Sequence, residues 1–143
     1  TKLISEFKND KEQNPDYLVD QVVALIEETE TMKNVIVSSF EFKNLVTTKS
    51  RMPDLSTALI LEKGISGFWD RHFFKHSINV DALHPSIGEV TEKLVRTEHL
   101  NHRKVRVWGV NESFDMMQME KFGVDAIITD DPKLGLIYNL NQS

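Results

Sequence analysis

Apolar positions change their period several times along the chain. After Asn14-Pro15-Asp16, the residues Leu18, Val19, Val22, Val23, Leu25 and Ile26 recur at helical spacing. A polar cap, a proline at the first helical position and an acidic first turn predict a helix to about Lys33. Val35-Ile36-Val37-Ser38-Ser39-Phe40 follows as a β-branched run bounded by Asn34 and Glu41, the pattern of a strand buried on both faces. Phe42, Leu45 and Val46 give a second helix its apolar side. Met52-Pro53-Asp54 ends that helix, because the residue before a proline is pushed out of the α region. Ala58 to Leu61 repeats the buried-strand pattern.

Gly64 to Ser77 has bulky aromatics among charges without a clean period and reads as a loop with helical turns. Ile78-Asn79-Val80 reads as a short strand, closed by Leu83-His84-Pro85. Ser86 to about His102 is predicted as a helix with Ile87, Val90, Leu94 and Val95 inward. Lys104 to Val110 is the next strand. Asn111 is placed to cap the following helix, with Phe114, Met117 and Phe122 toward the core and Gly123 at its left-handed end. Val124 to Thr129 is the last strand, and Asp130 caps a terminal helix with Pro132 in its first turn. The sum is an opening helix and five β/α units, which means parallel strands joined by helical crossovers. An open flavodoxin-like sheet would satisfy the count, but such folds begin on a strand. The opening helix therefore predicts that a strand has been lost ahead of it and that the chain is part of a larger β/α array.

A length of 143 residues bounds the chain to about one domain. Hydrophobic residues at 40% and charged residues at 27% exclude a disordered tail, a collagen-like chain and a membrane-spanning one. With 17 Lys+Arg against 22 Asp+Glu, a net charge of -5 and no basic stripe, nucleic acid and anionic membrane are excluded as general partners, which leaves small molecules or proteins. The absence of cysteine removes disulfides, thiolate nucleophiles and Cys-zinc sites but leaves the compartment open. The start Thr1-Lys2-Leu3-Ile4 has neither a signal-peptide pattern nor an initiator Met and reads as a cut. An upstream membrane segment would be hidden by that cut, so cytoplasmic and membrane-tethered locations both stay open.

Among residues able to do chemistry, Ser39 lacks a G-x-S-x-G elbow and is read as a strand-end hydrogen-bonding group. His72 and His76 stand at i, i+4 without a Glu-x-x-His neighbour, which is a weak metal pair. His99 and His102 fall near a helix C-terminus, where they complement its dipole. Asp130 is a helix cap or a metal ligand. Met116, Met117 and Met119 are core filler or a soft partner surface, and Glu27, Glu28 and Glu30 form a solvated face. Trp108 alternates with Val107 and Gly109, which on the residues alone favours core packing.

Val107-Trp108-Gly109-Val110-Asn111, a helix, and then Gly123-Val124-Asp125-Ala126-Ile127-Ile128-Thr129-Asp130-Asp131-Pro132 resemble the closing signature of glycerophosphodiester phosphodiesterases, W-T-V-N followed by G-V-D-G-I-I-T-D-x-P. Val35 to Phe40 resembles the family's v-i-v-S-F strand, and Met52-Pro53-Asp54 matches the proline after its helix. Leu83 to Val95 resembles the stretch leading into the tryptophan strand. Two positions depart, with Gly109 for the usual Thr and Ala126 for the usual Gly.

The resemblance implies that residues 1–143 are the C-terminal part of a TIM-barrel domain, a partial α/β barrel of about five units holding strands 4 to 8, with the N-terminal strands missing. The family's H-R-G motif, E-x-D pair and second catalytic His are not found, so no catalytic or metal-ligating residue is assigned. Thr1-Lys2 is read as the tail of an E-x-K motif whose Glu would precede Thr1. The intact enzyme is expected to use a divalent cation, Mg²⁺ or Ca²⁺, held by carboxylates outside this chain, with none bound by the fragment. Its reaction would convert glycerophosphodiesters into an alcohol and glycerol 3-phosphate. Phe40 and Trp108 would wall the substrate, and Lys2 would face the phosphate. The fragment alone is expected to be inactive. A reading from another class is a non-catalytic α/β module that forms a homodimer through unpaired sheet edges.

Overall fold

A strand opens the chain. In the computed structural model, which describes residues 2–8, 14–61 and 79–134, Leu3–Phe7 forms β1. The strand expected to be lost ahead of the first helix is therefore present. Only Phe7 of its five residues is fully buried, and Ser5 and Glu6 interrupt the apolar run, so the pattern of a buried strand never develops. Helix α1 follows at Pro15–Glu28, with the Asn14 side chain accepting the Asp16 N–H at 3.1 Å. It stops short of Lys33, and the single 3₁₀ turn Met32–Asn34 leads into strand β2, Val35–Ser39, every residue of which is buried. Helix α2 spans Phe42–Arg51 and strand β3 spans Ser56–Ile60.

The described chain divides into two compact units. The first holds β1, β2 and β3 as parallel neighbours, with Leu3 beside Val35, Glu6 beside Ser38 and Ser38 beside Ala58. Phe7, Val35, Val37 and Leu55 pack with Val19, Val23 and Ile26 of α1 and with Met52. Phe7, Val35 and Val37 are odd-numbered strand positions, so alternation turns Glu6 and Ser38, and Ala58 in register with Ser38, to the opposite face of the sheet. Helix α2 buries Asn44, Leu45 and Thr48, whereas Val46, read as apolar lining, is exposed. The two polar residues are accommodated by hydrogen bonds. Asn44 Nδ2 donates to Ser39 Oγ at 3.1 Å, and the Thr48 hydroxyl donates to the Asn44 carbonyl at 2.7 Å. Ser39 also accepts the Glu41 N–H at 3.0 Å, the strand-end bonding expected of it.

The second unit carries β4 (Ala82–His84), β5 (Lys104–Trp108) and β6 (Ala126–Ile128), again parallel and in chain order. Strand β4 begins two residues beyond Val80, where the sequence reading ended that strand. The following helix, α3, runs Glu92–Leu100 and not from Ser86. Residues 85 to 87 stay with the sheet: the Trp108 N–H donates to the Pro85 carbonyl and the Ile87 N–H to the Trp108 carbonyl, both at 3.0 Å. Thr91 then caps α3 by accepting the Leu94 N–H at 3.1 Å.

Helix α4, Ser113–Phe122, ends on Gly123, whose φ of 74° is the left-handed conformation that favours glycine. Its core residues are Met116 and Met119, packed with Val95, Val105, Val107 and Val110. Phe114 and Met117, expected to point inward, are exposed, and Phe122 is half-buried. At the start of β6 the Asp125 carboxylate accepts the Val105 N–H and Lys104 Nζ and meets His99 Nε2, all at 2.8 Å. Desolvation opposes its charge, but Lys104, the Val105 N–H and His99 together lower its pKa from the ordinary value. His99 therefore complements a carboxylate as well as a helix end.

Candidate functional site

Parallel β/α arrays carry their chemistry at the C-terminal ends of the strands, where the following loops begin. In the first unit that end of β2 presents Phe40, one residue past the strand and exposed. Lys2 lies just before β1, and the register of β1 on β2 puts it at the opposite end of the sheet from Phe40, roughly 20 Å of strand rise away. The structure does not bring those two sequence candidates together.

It brings forward another pair. Glu6-Phe7-Lys8 is itself an E-x-K sequence, sitting at the C-terminal end of β1. Glu6 is exposed on the face opposite Phe7, and Lys8 is exposed one residue beyond the strand. The signal was present in the residues, but it becomes legible only once β1 is known to be a strand.

In the second unit, Trp108 ends β5 on the face opposite Val105 and Val107 and is half-buried. Its indole Nε1–H donates to the His84 carbonyl at 3.0 Å. His84 ends β4 and is 2% exposed, with Nε2 at 3.3 Å from Arg106 Nη1. Burial, and then the Arg106 charge, push its imidazole down to about 4. The sequence reading gave His84 no role, since a histidine before a proline at a strand end carries no distinctive pattern.

Beyond Trp108, Gly109 takes a φ of 77° and Asn111 reaches across to the end of β6. Asn111 Oδ1 accepts the Asp130 N–H at 2.9 Å and the Thr129 hydroxyl at 3.0 Å, while its Nδ2 donates to Asp130 Oδ2 at 2.9 Å. Neither residue is the helix cap expected of it. Glu112 is the cap position of α4, without a side-chain bond, and Asp131 accepts the Lys133 and Leu134 N–H groups at 3.0 and 3.2 Å. The family-like W-x-V-N and T-D segments thus meet through one amide side chain.

Among the described residues no group of three or more His, Cys, Asp or Glu could hold a metal ion, and no helix is long and apolar enough to cross a membrane. His72 and His76 lie outside the described residues.

Comparison with known proteins accounts for these features. The model of the glycerophosphoryl diester phosphodiesterase family matches residues 2–134. A glycerophosphodiester phosphodiesterase of Caldanaerobacter subterraneus subsp. tengcongensis is 32% identical over 114 residues, covering 80% of this chain and 46% of the relative. A crystal structure from Silicibacter pomeroyi DSS-3 assigned to the glycerophosphoryl diester phosphodiesterases superposes with a TM-score of 0.88 at 25% identity, over 99% of this chain and 50% of that one. An Oleispira antarctica phosphodiesterase in complex with the product sn-glycerol-3-phosphate shares the fold, with a TM-score of 0.73 at 16% identity over 96% of this chain and 54% of that one. The chain spans about half the length of the curated relatives it matches. With a family match over nearly all of its residues, and the Trp108 and Asn111 segment in place at the strand ends, the chain belongs to the glycerophosphoryl diester phosphodiesterase family.

Proposed function

We propose that this chain supplies the substrate-facing wall of an enzyme that hydrolyses glycerophosphodiesters to an alcohol and glycerol 3-phosphate. The observation that carries the reading is the joined strand-end segment, Trp108 to Asn111 tied to Thr129 and Asp130, within the family match. Product-bound sn-glycerol-3-phosphate in the Oleispira antarctica relative supports the choice of substrate. The described residues hold six parallel strands, one more than the five read from the sequence, which fits part of a TIM barrel.

Phe40 in the first unit and Trp108 in the second each supply an apolar surface for the glycerol or the head group. Lys8, at the strand end where Lys2 is not, supplies positive charge toward the phosphate. Glu6 fits a divalent cation as one carboxylate ligand on the same face, the cation being Mg²⁺ or Ca²⁺ with its other ligands outside the described residues. A divalent cation would neutralise phosphate charge, Glu6 would supply one of its carboxylate ligands, and Lys8 would supply positive charge toward the anion.

The deciding assay is glycerol 3-phosphate release from glycerophosphocholine with Mg²⁺ or Ca²⁺. The 143-residue chain alone is expected to release none, and the enzyme that includes the H-R-G and E-x-D segments is expected to release it. Release by the chain alone contradicts the placement of proton transfer outside it, and silence from the longer enzyme on a panel of diesters ends the hydrolase reading. One observation favours a second reading, self-association through β1, where Leu3 and Ile4 are exposed at 65% and 38%. Light scattering checks it: a dimer mass that rises with concentration is expected, and a constant monomer mass contradicts it.

A further inference from the structure

His84 gathers two strands and a loop at one point. Its carbonyl accepts both the Trp108 indole N–H and the Leu61 backbone N–H at 3.0 Å, and its buried ring faces Arg106 Nη1 at 3.3 Å. A guanidinium can only donate, so the Nε2 facing it is the acceptor, the proton sits on Nδ1 and the ring is neutral. Burial and the neighbouring positive charge both hold it in that state.

We infer that His84 is a positioning residue for Trp108: its neutral ring ties Arg106 of β5 to β4, and this fixes the carbonyl that captures the indole N–H. The inference rests on the wall role proposed above for Trp108. It adds a chemical constraint, because an indole whose only donor is engaged within the protein meets its substrate through carbon surface and not through a hydrogen bond. The segment of substrate against Trp108 is then recognised by its C–H face.

The chain has two tryptophans, so replacing Trp69 by Phe leaves Trp108 as the sole indole emitter. In that background His84→Leu, which removes the ring acceptor, is expected to red-shift the emission and raise acrylamide quenching, while His84→Gln, which keeps an acceptor near the position of Nε2, is expected to preserve both. In the longer enzyme His84→Leu is expected to raise KM about tenfold with kcat within about twofold, the signature of lost binding in ground and transition states alike. Unchanged emission and quenching in a folded His84→Leu variant overturns the proposal. If circular dichroism shows that this variant does not fold, Arg106→Met decides, since it removes the donor and keeps the ring; unchanged quenching there overturns the proposal equally. Altered quenching with an unchanged KM upholds the positioning but removes the wall role. An inactive parent enzyme refutes the proposed function and leaves the quenching comparison to decide His84.

Discussion

Glu6→Gln is expected to lower kcat/KM for glycerophosphocholine by at least about 100-fold in the enzyme that contains this chain, equivalent to about 3 kcal/mol of lost charge stabilisation at about 1.4 kcal/mol per tenfold. The substitution keeps the size and polarity of the side chain and removes only its negative charge. Glu6 belongs to β1, faces away from the Phe7 core and pairs in register with Ser38, so a neutral amide there leaves the packing intact. A cation ligand should reveal itself by a second sign, partial recovery of rate as Mg²⁺ or Ca²⁺ concentration rises. Steady-state kinetics across a cation titration check both. Full activity in Glu6→Gln would show that the E-x-K sequence at β1 is incidental. Lysine replacements sharpen the comparison, because Lys8→Ala is expected to raise KM while Lys2→Ala, at the far end of the strand, is expected to leave it unchanged.

Stability should fall by about 3 kcal/mol as pH drops from 6.5 to about 4, and His84 is the cause, at about 1.4 kcal/mol for each pH unit between those values. Above pH 6.5 the ring is neutral in both folded and unfolded chains and contributes no slope. Below that pH the unfolded ring takes up a proton while the folded ring, buried against Arg106, does not, so protons favour unfolding. Once the pH passes about 4 both states carry the proton and this loss levels off. Asp125 acts in the same direction at lower pH. Its folded pKa lies below the ordinary 3.8, so its stabilisation is present above that value and is lost as pH falls through the folded one. Urea unfolding at a series of pH values, run on the parent and on His84→Gln, isolates the His84 contribution between 6.5 and about 4 from that of Asp125 at lower pH. His84→Gln should flatten that region, and an unchanged slope in the variant would assign the effect elsewhere.

Much of the architecture was legible because burial leaves a mark on composition. Strand β2 is buried at every residue and β3 at four of its five, β5 sets buried Val105 and Val107 between Lys104, Arg106 and Trp108, and α1 carries a cap, a proline and an apolar stripe in sequence order. Strand β1 escaped because four of its five residues keep some exposure and two are polar, so its identity comes from pairing with β2 and not from its own pattern. That omission carried the E-x-K with it: a search that treats the first residues as a tail looks for the lysine at position 2 and passes over Glu6-Phe7-Lys8. The start of α3 slipped for a different reason. Ile87 and Val90 fit a helical stripe, but the sheet claims residues 85 to 87 through backbone hydrogen bonds that leave no trace in side-chain periodicity. In the second unit, Asn111 and Asp130 have the residue types of helix caps and use them on each other instead. Trp108 shows the limit most clearly, since a strand tryptophan next to core valines looks like core until register shows which face it takes.

Asn111 also changes what kind of object the β5–α4–β6 crossover is. A helical crossover is ordinarily an open excursion whose ends are held only by the strands it joins. Here the amide closes it into a ring of residues 111 to 130 with three hydrogen bonds at the seam. Once that loop is closed, the entropy of bringing its ends together has already been met. Helix α4 can then fray or open locally without releasing the ends of the two strands. The ends of β5 and β6 are thereby joined by a side-chain seam that does not run through the helix between them.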